Sequence, residues 1–206
     1  MQDSKPTLIH VYTVQLLEIE PAIWRRIEVP ERYSFWDLHV AIQDAMGWLD
    51  YHLHEFQVYD RRREQKVRIG IPDEEDYLEP PLVAGWKNRI KRYFKQPGDR
   101  AHYLYDFGDG WEHDVQLTAV ALPEPGLEYP RCTDGARACP PEDCGGPGGY
   151  GELVRILADP KHPERRSMNA WLQGHVKNYH PYRPDQFDPD AVVFSDPEER
   201  FRMMME

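Results

Sequence analysis

Cysteine is scarce in this chain: three in 206 residues, all between positions 132 and 144. A secreted disulfide scaffold would use more of them, more widely spread, so the thiols point to a metal site or to plain buried thiols. No stretch approaches the 18 apolar residues of a membrane-spanning helix. The first residues, Met1 to Pro6, are polar and lack an apolar signal core, so a cytoplasmic location is expected. Positive charge is also short: 25 Lys and Arg against 36 Asp and Glu give a net charge of −11. Phosphate contacts supply most non-specific affinity for DNA, so this balance argues against a DNA-coating surface and leaves only local basic patches. Several enzyme signatures are missing. There is no CxxC, no HExxH and no G-x-S-x-G elbow. The glycine-rich GGPGGYG at 145–151 lacks the Lys-Ser/Thr of a phosphate loop and reads as a tight loop ahead of a helix. There is no internal repeat.

What is present reads as an α+β domain. TLIHVYTVQLL (7–17) and AIWRRIEV (22–29) are rich in β-branched and aromatic types and predict two strands paired as a hairpin. Ser34 with Asp37 three residues on is a capping box, Leu38, Ala41, Ile42 and Ala45 share one helical face, and Gly47 fits the helix end. HLHEFQVY (52–59) predicts a strand with His52, His54, Phe56 and Val58 on one face. Arg61, Arg62, Arg63, Lys66 and Arg68 form a basic group, and Asp73, Glu74, Glu75 and Asp76 an acidic run. WKNRIKRYFK (86–95) is a second basic segment: as a nucleic-acid contact its aromatics would stack on bases, and as a packed amphipathic helix Trp86, Ile90 and Phe94 would point inward, the preferred reading. AHYLYDFG and WEHDVQLTAV flank Asp109-Gly110, a turn dipeptide for a two-residue hairpin loop. Residues 121–151 read as a long irregular loop. Helices are expected over 151–158, 161–174 and 197–205.

The two-residue loop sets a register. It puts Asp106 opposite His113, on a face with Leu104, Val115 and Leu117, and turns Tyr103, Tyr105 and Phe107 the other way. A carboxylate beside an imidazole fixes its tautomer and raises its basicity, which serves metal ligation and general-base work alike. The expected polar pocket therefore gathers His52, His54, Asp106 and His113, closed by Glu142 and Asp143 of the 132–150 loop. His54, His113, Cys132 and Cys139 are the candidate ligands of a metal, zinc by their chemistry, although Cys132-x6-Cys139-x4-Cys144 matches no zinc-ribbon or knuckle spacing. The structural alternatives are hydrogen-bonded core histidines and thiols acting as small hydrophobes. Cys144 receives no role, and no catalytic residue is assigned.

AIWRRIEVP (22–30), HLHEF (52–56), YDFGDGWEH (105–113) and CTDGARACPPEDCGGPGGY (132–150) together resemble the open-reading-frame-three family first named from a root-inducing plasmid, over nearly the whole chain. The resemblance implies an association with plasmids and mobile elements and no established reaction. Some members carry a transposon-resolvase-like passenger label; this chain lacks the nucleophilic-serine recombinase domain and basic helix-turn-helix arm that such a role requires. The expected architecture is one domain over 1–206, with a core at about 6–175 and a C-terminal extension at about 176–206. It is an antiparallel-rich sheet of hairpins with helix 34–46 across one face, in a β-grasp-like order, and with C-terminal helices over an edge or the same face. The leading function is a non-catalytic binding or interaction module for a protein or small ligand. A zinc-dependent hydrolase and a nucleic-acid accessory protein acting through 86–95 are the alternatives.

Overall fold

A computed structural model of the chain describes residues 6–73 and 77–205. Glu74, Glu75 and Asp76 of the acidic run lie outside the described residues. Eight strands form one sheet: β1 (Ile9–Leu16), β2 (Trp24–Pro30), β3 (His54–Asp60), β4 (Gln65–Gly70), β5 (Leu82–Ala84), β6 (Arg100–Tyr105), β7 (Trp111–Ala121) and β8 (Arg131–Ala136). Their order is β5-β4-β3-β6-β7-β1-β2-β8, antiparallel except for β4 with β5. β1 is antiparallel to both neighbours, β2 and β7. Likeness to a β-grasp order therefore stops at a helix crossing a mostly antiparallel sheet.

That helix, α1 (Phe35–Met46), carries the capping box read from the sequence. Asp37 N–H donates to the Ser34 hydroxyl at 3.2 Å, and Ser34 N–H donates to the Asp37 carboxylate at 2.8 Å. Gly47 ends it at φ 89°, a left-handed conformation that only glycine adopts without penalty. Phe35, Leu38 and Ile42 are fully buried against the sheet, where Phe35 meets Phe56 edge-on with ring centres 5.1 Å apart. The remaining helices are α2 (Gly146–Ala158), α3 (Arg165–Gly174) and α4 (Pro197–Met205). α4 packs on the outer side of α1: Trp36 Nε1–H donates to the Pro197 carbonyl at 2.8 Å, and Arg200 pairs with Asp44 at 2.7 Å. No helix of the described residues is long and apolar enough to cross a membrane.

Four local expectations are corrected. The β6–β7 register pairs Tyr103 with His113 and Tyr105 with Trp111, which leaves a five-residue loop, 106–110. Asp106 opens that loop at φ 55°; its Oδ1 accepts from the Gly108 and Asp109 amides at 2.9 and 3.3 Å, and its carbonyl accepts from Gly110 N–H at 2.7 Å. This Asx-type turn, not the Asp109-Gly110 pair, sets the connection. The shift from the expected pairing is odd, so the faces exchange: Tyr103, Tyr105, Trp111 and His113 are all buried, and Phe107 is exposed.

The second correction concerns residues 121–151, which are not one loop: β8 pairs there with β2 as an edge strand. The third concerns GGPGGYG, which forms the first turns of α2, not a loop before it. Gly145 is left-handed at φ 90°, Pro147 supplies a helical start, and Gly149 N–H donates to the Gly145 carbonyl at 3.1 Å. The fourth concerns segment 86–95, which is not an α-helix. It makes two 3₁₀ turns (Gly85–Lys87 and Ile90–Arg92) that bury Ile90, Tyr93 and Phe94, half-bury Trp86 and expose Lys87, Lys91 and Arg92.

Candidate functional site

Three loops converge at the end of the sheet where β6 turns into β7. The first, 47–53, follows α1 and carries His52 just ahead of β3. The second is 106–110. The third runs from the end of β8 into α2. Its Glu142 is fully buried and is a tether: its Oε1 accepts from Leu49 N–H at 2.6 Å and from the Tyr105 hydroxyl at 3.1 Å. The Pro140 carbonyl accepts from Trp48 Nε1–H at 3.0 Å, and Gly145 N–H donates to Asp109 Oδ2 at 3.1 Å. A Cβ on Gly146 would overlap the Asp109 carbonyl, so this glycine lets the third loop lie directly on the second. Burial pushes the Glu142 carboxyl up, against its hydrogen bonds to Leu49 and Tyr105 and the nearby His52, which hold it down.

The tethered loop delivers Asp143 to the other two. His52 Nε2 lies 3.1 Å from Asp143 Oδ1 and 3.6 Å from Asp106 Oδ2. One donor atom from each of His52, Asp106 and Asp143 falls within 4.8 Å of the others; among the described residues no other group of three or more His, Cys, Asp and Glu donors does so. The environments are graded: Asp106 is buried, His52 half-buried, and the Asp143 side chain 57% exposed. His52 Nε2 is itself shielded from solvent and makes no hydrogen bond in acceptable geometry, despite two carboxylates within 4 Å. Asp106 and Asp143 both hold left-handed backbone, at φ 55° and 56°, a conformation in which Asp is enriched. Cavities of about 480 and 300 Å³ flank the cluster, the first lined by His52, Trp36, Leu53 and Arg200, the second by Asp143, Met168 and Trp171.

The other expected ligands lie elsewhere. His54 sits in the core against α1, its ring stacked on His39 with centres 3.4 Å apart. Burial, then His39, hold its pKa well below the ordinary imidazole value. His113 uses Nδ1 toward the Tyr103 carbonyl at 3.2 Å, and burial lowers its pKa to about 3. It does not meet Asp106, because the register that would join them does not form. Cys132 and Cys139 are buried free thiols. Burial raises both, Cys139 to about 12, which disfavours a nucleophilic thiolate, and among the described residues neither belongs to a group of three or more candidate metal donors. Cys139 instead lines a cavity of about 640 Å³, beside Arg25, Lys177, Tyr182 and Phe187.

The plasmid pRiA4b ORF-3-like protein model matches residues 9–191. The chain belongs to this family. Among the relatives of this ORF-3-like chain, uncharacterized protein y4hQ of Sinorhizobium fredii (strain NBRC 101917 / NGR234) is 38% identical over 158 residues, 77% of each chain. The crystal structure of MM3350 from Methanosarcina mazei Go1, a protein of unknown function, is also 38% identical; it matches with a TM-score of 0.82 over 92% of this chain and all of the other. The family is thus established here without a reaction attached, and the reading of this ORF-3-like site rests on its own geometry. Sequence reasoning placed all three converging residues in one pocket with Glu142, but added His54 and His113, which lie in the core. It missed Tyr105 and Asp109, whose hydroxyl and carboxylate fasten the third loop; both lie in the YDFGDGWEH segment, the local signal that could have pointed to them.

Proposed function

We propose that this chain is a non-catalytic binding module whose ligand is centred on a divalent cation held by His52, Asp106 and Asp143. The observation that carries the reading is the meeting of three donors from three separate loops around a shielded imidazole nitrogen with no hydrogen-bond partner. The two carboxylates approach this nitrogen without hydrogen-bonding to it, and a cation between the donors gives all three a partner. One imidazole and two carboxylates suit Zn²⁺ or Mn²⁺, and three protein donors leave coordination positions open toward exposed Asp143. The flanking cavities could take the organic part of a ligand bound through those positions.

A hydrolase would need an acid or base poised beside the open positions. Glu142, the buried carboxyl next to the cluster, is committed to Leu49 N–H and the Tyr105 hydroxyl, which favours binding over hydrolysis. The test is metal content. Protein dialysed against equimolar Zn²⁺ and Mn²⁺ and then desalted should retain about one equivalent of metal, and His52→Ala and Asp143→Asn should each lose most of it, by about 10–100-fold in affinity. Equal retention by wild type and both variants would overturn the reading.

A further inference from the structure

At the opposite end of the sheet, where β1 begins, another cavity, of about 430 Å³, is built from quite different chemistry. It is lined by Arg62, Arg89, Lys91, Arg92 and Lys95, with Glu31 as the one carboxylate and Leu8, His10, Phe94 and Val120 between them. Five cations on one concavity stand out in a chain of net charge −11. Arg92 pairs with Asp60 at 2.9 Å, and Arg89 donates to the Arg32 carbonyl at 2.7 Å. The side chains of Arg62, Lys91 and Lys95 have no hydrogen-bond or ion-pair partner among the described residues. Glu31 and, more weakly, both lysines lie close enough to the buried His10 of the cavity lining to act on its charge.

Converging like charges repel, and Asp60 and Glu31 offset only part of the charge of these five cations. An anion offsets the rest, and Arg and Lys together are the usual cradle for phosphate oxygens. The aromatic groups decide which kind of phosphate ligand. Stacking on single-stranded nucleic acid needs exposed rings. Here Phe94 is 1% exposed, its ring held edge-on to Tyr12 with centres 4.8 Å apart, and Tyr93 is buried. No stacking platform faces the cavity, and the acidic remainder of the surface repels a long polyanion. The 430 Å³ volume falls in the range of small-molecule sites.

We infer that this cavity binds a small phosphate-bearing ligand through Arg62, Lys91 and Lys95, independently of the His52 cluster. The probes are inorganic phosphate, pyrophosphate and ATP, each titrated calorimetrically into the full chain at low and at physiological salt. Saturable one-to-one binding of at least one probe is expected, weaker at higher salt. Lys91→Ala/Lys95→Ala should weaken it at least about tenfold, as loss of charge-assisted bonds to phosphate requires. Lys161→Ala, at an exposed loop site, should leave it unchanged, and so should His52→Ala, which separates this site from the metal reading. All the replaced lysines are exposed, and matching melting temperatures would confirm folded variants. No binding by any probe, or binding indifferent to the double variant, overturns the inference. A 12-nucleotide single strand that binds more tightly than every small probe overturns it in favour of nucleic acid.

Discussion

The imidazoles of His39 and His54 lie face to face, 3.4 Å between centres and 9° from parallel, sealed between α1 and the sheet. His39 reaches the Asp50 carboxylate through Nε2 and the Tyr103 hydroxyl through Nδ1, both at 2.8 Å, and Gln43 Nε2–H donates to the same hydroxyl at 2.9 Å. His54 Nδ1 has no partner. Protonating His54 would put a charge against this stack with nothing to receive it.

Acid should therefore unfold the protein by a route that runs through its histidines. His54 and His113 have folded pKa values below 6.5, so the unfolded chain binds protons that the folded chain does not. Their contribution is fully present above pH 6.5 and is lost as pH falls toward their folded values, about 3 for His113. His113 alone accounts for a loss on the order of 3 kcal/mol by pH 4. Glu142, with its raised pKa, acts in the opposite sense and offsets part of this at the acid end. Urea midpoints measured from pH 8 to pH 4 should hold down to about pH 6.5 and then fall, more gently in His113→Gln. A flat profile would contradict the burial of these rings as neutral groups.

Glu142→Ala removes the acceptor of both Leu49 N–H and the Tyr105 hydroxyl. The expected cost is about 2–4 kcal/mol in urea unfolding, with Glu142→Gln losing roughly half as much because its amide oxygen still accepts. Metal affinity should fall in step with stability, since the same tether carries Asp143. A stable Glu142→Ala variant with intact affinity would show that the loop is held otherwise.

Two glycines of α2 should respond oppositely to alanine. A Cβ at Gly149 would overlap the Cys144 carbonyl oxygen, whereas one at Gly151 meets nothing within 4 Å. Gly151→Ala should raise stability by about 0.5–1 kcal/mol through helix propensity. Gly149→Ala should lower the melting temperature and displace the 143–146 segment from the 106–110 loop, weakening metal binding. Thermal melts of the pair, with and without Zn²⁺, check this.

The parts of the fold written in local chemistry were legible. Ser34, Asp37 and Gly47 specify α1 through short-range bonds, and the residues flanking Glu20 and Pro21 specify the β1–β2 hairpin. What failed depended on tertiary context. Asp109-Gly110 favours a two-residue turn, but Asp106 captures the Gly108 and Asp109 amides first, and burying Tyr103, Tyr105, Trp111 and His113 together fixes the register. The glycines of α2 have low helix propensity and read as loop, yet they are what lets the helix start against the 106–110 loop and the Cys144 carbonyl. The candidate site was half legible for the same reason. His52, Asp106 and Asp143 were expected in one pocket, but His54 and His113 were expected there too, and their place in the core is set by register and packing, which no spacing in the sequence encodes.

The most direct measurement is an anomalous difference map from crystals grown with Mn²⁺ or Zn²⁺. The account predicts one peak bound to His52 Nε2, Asp106 Oδ2 and Asp143 Oδ1, each at about 2.0–2.2 Å. A peak at Cys132 and Cys139 instead, or no peak at the cluster with millimolar metal present, would contradict it.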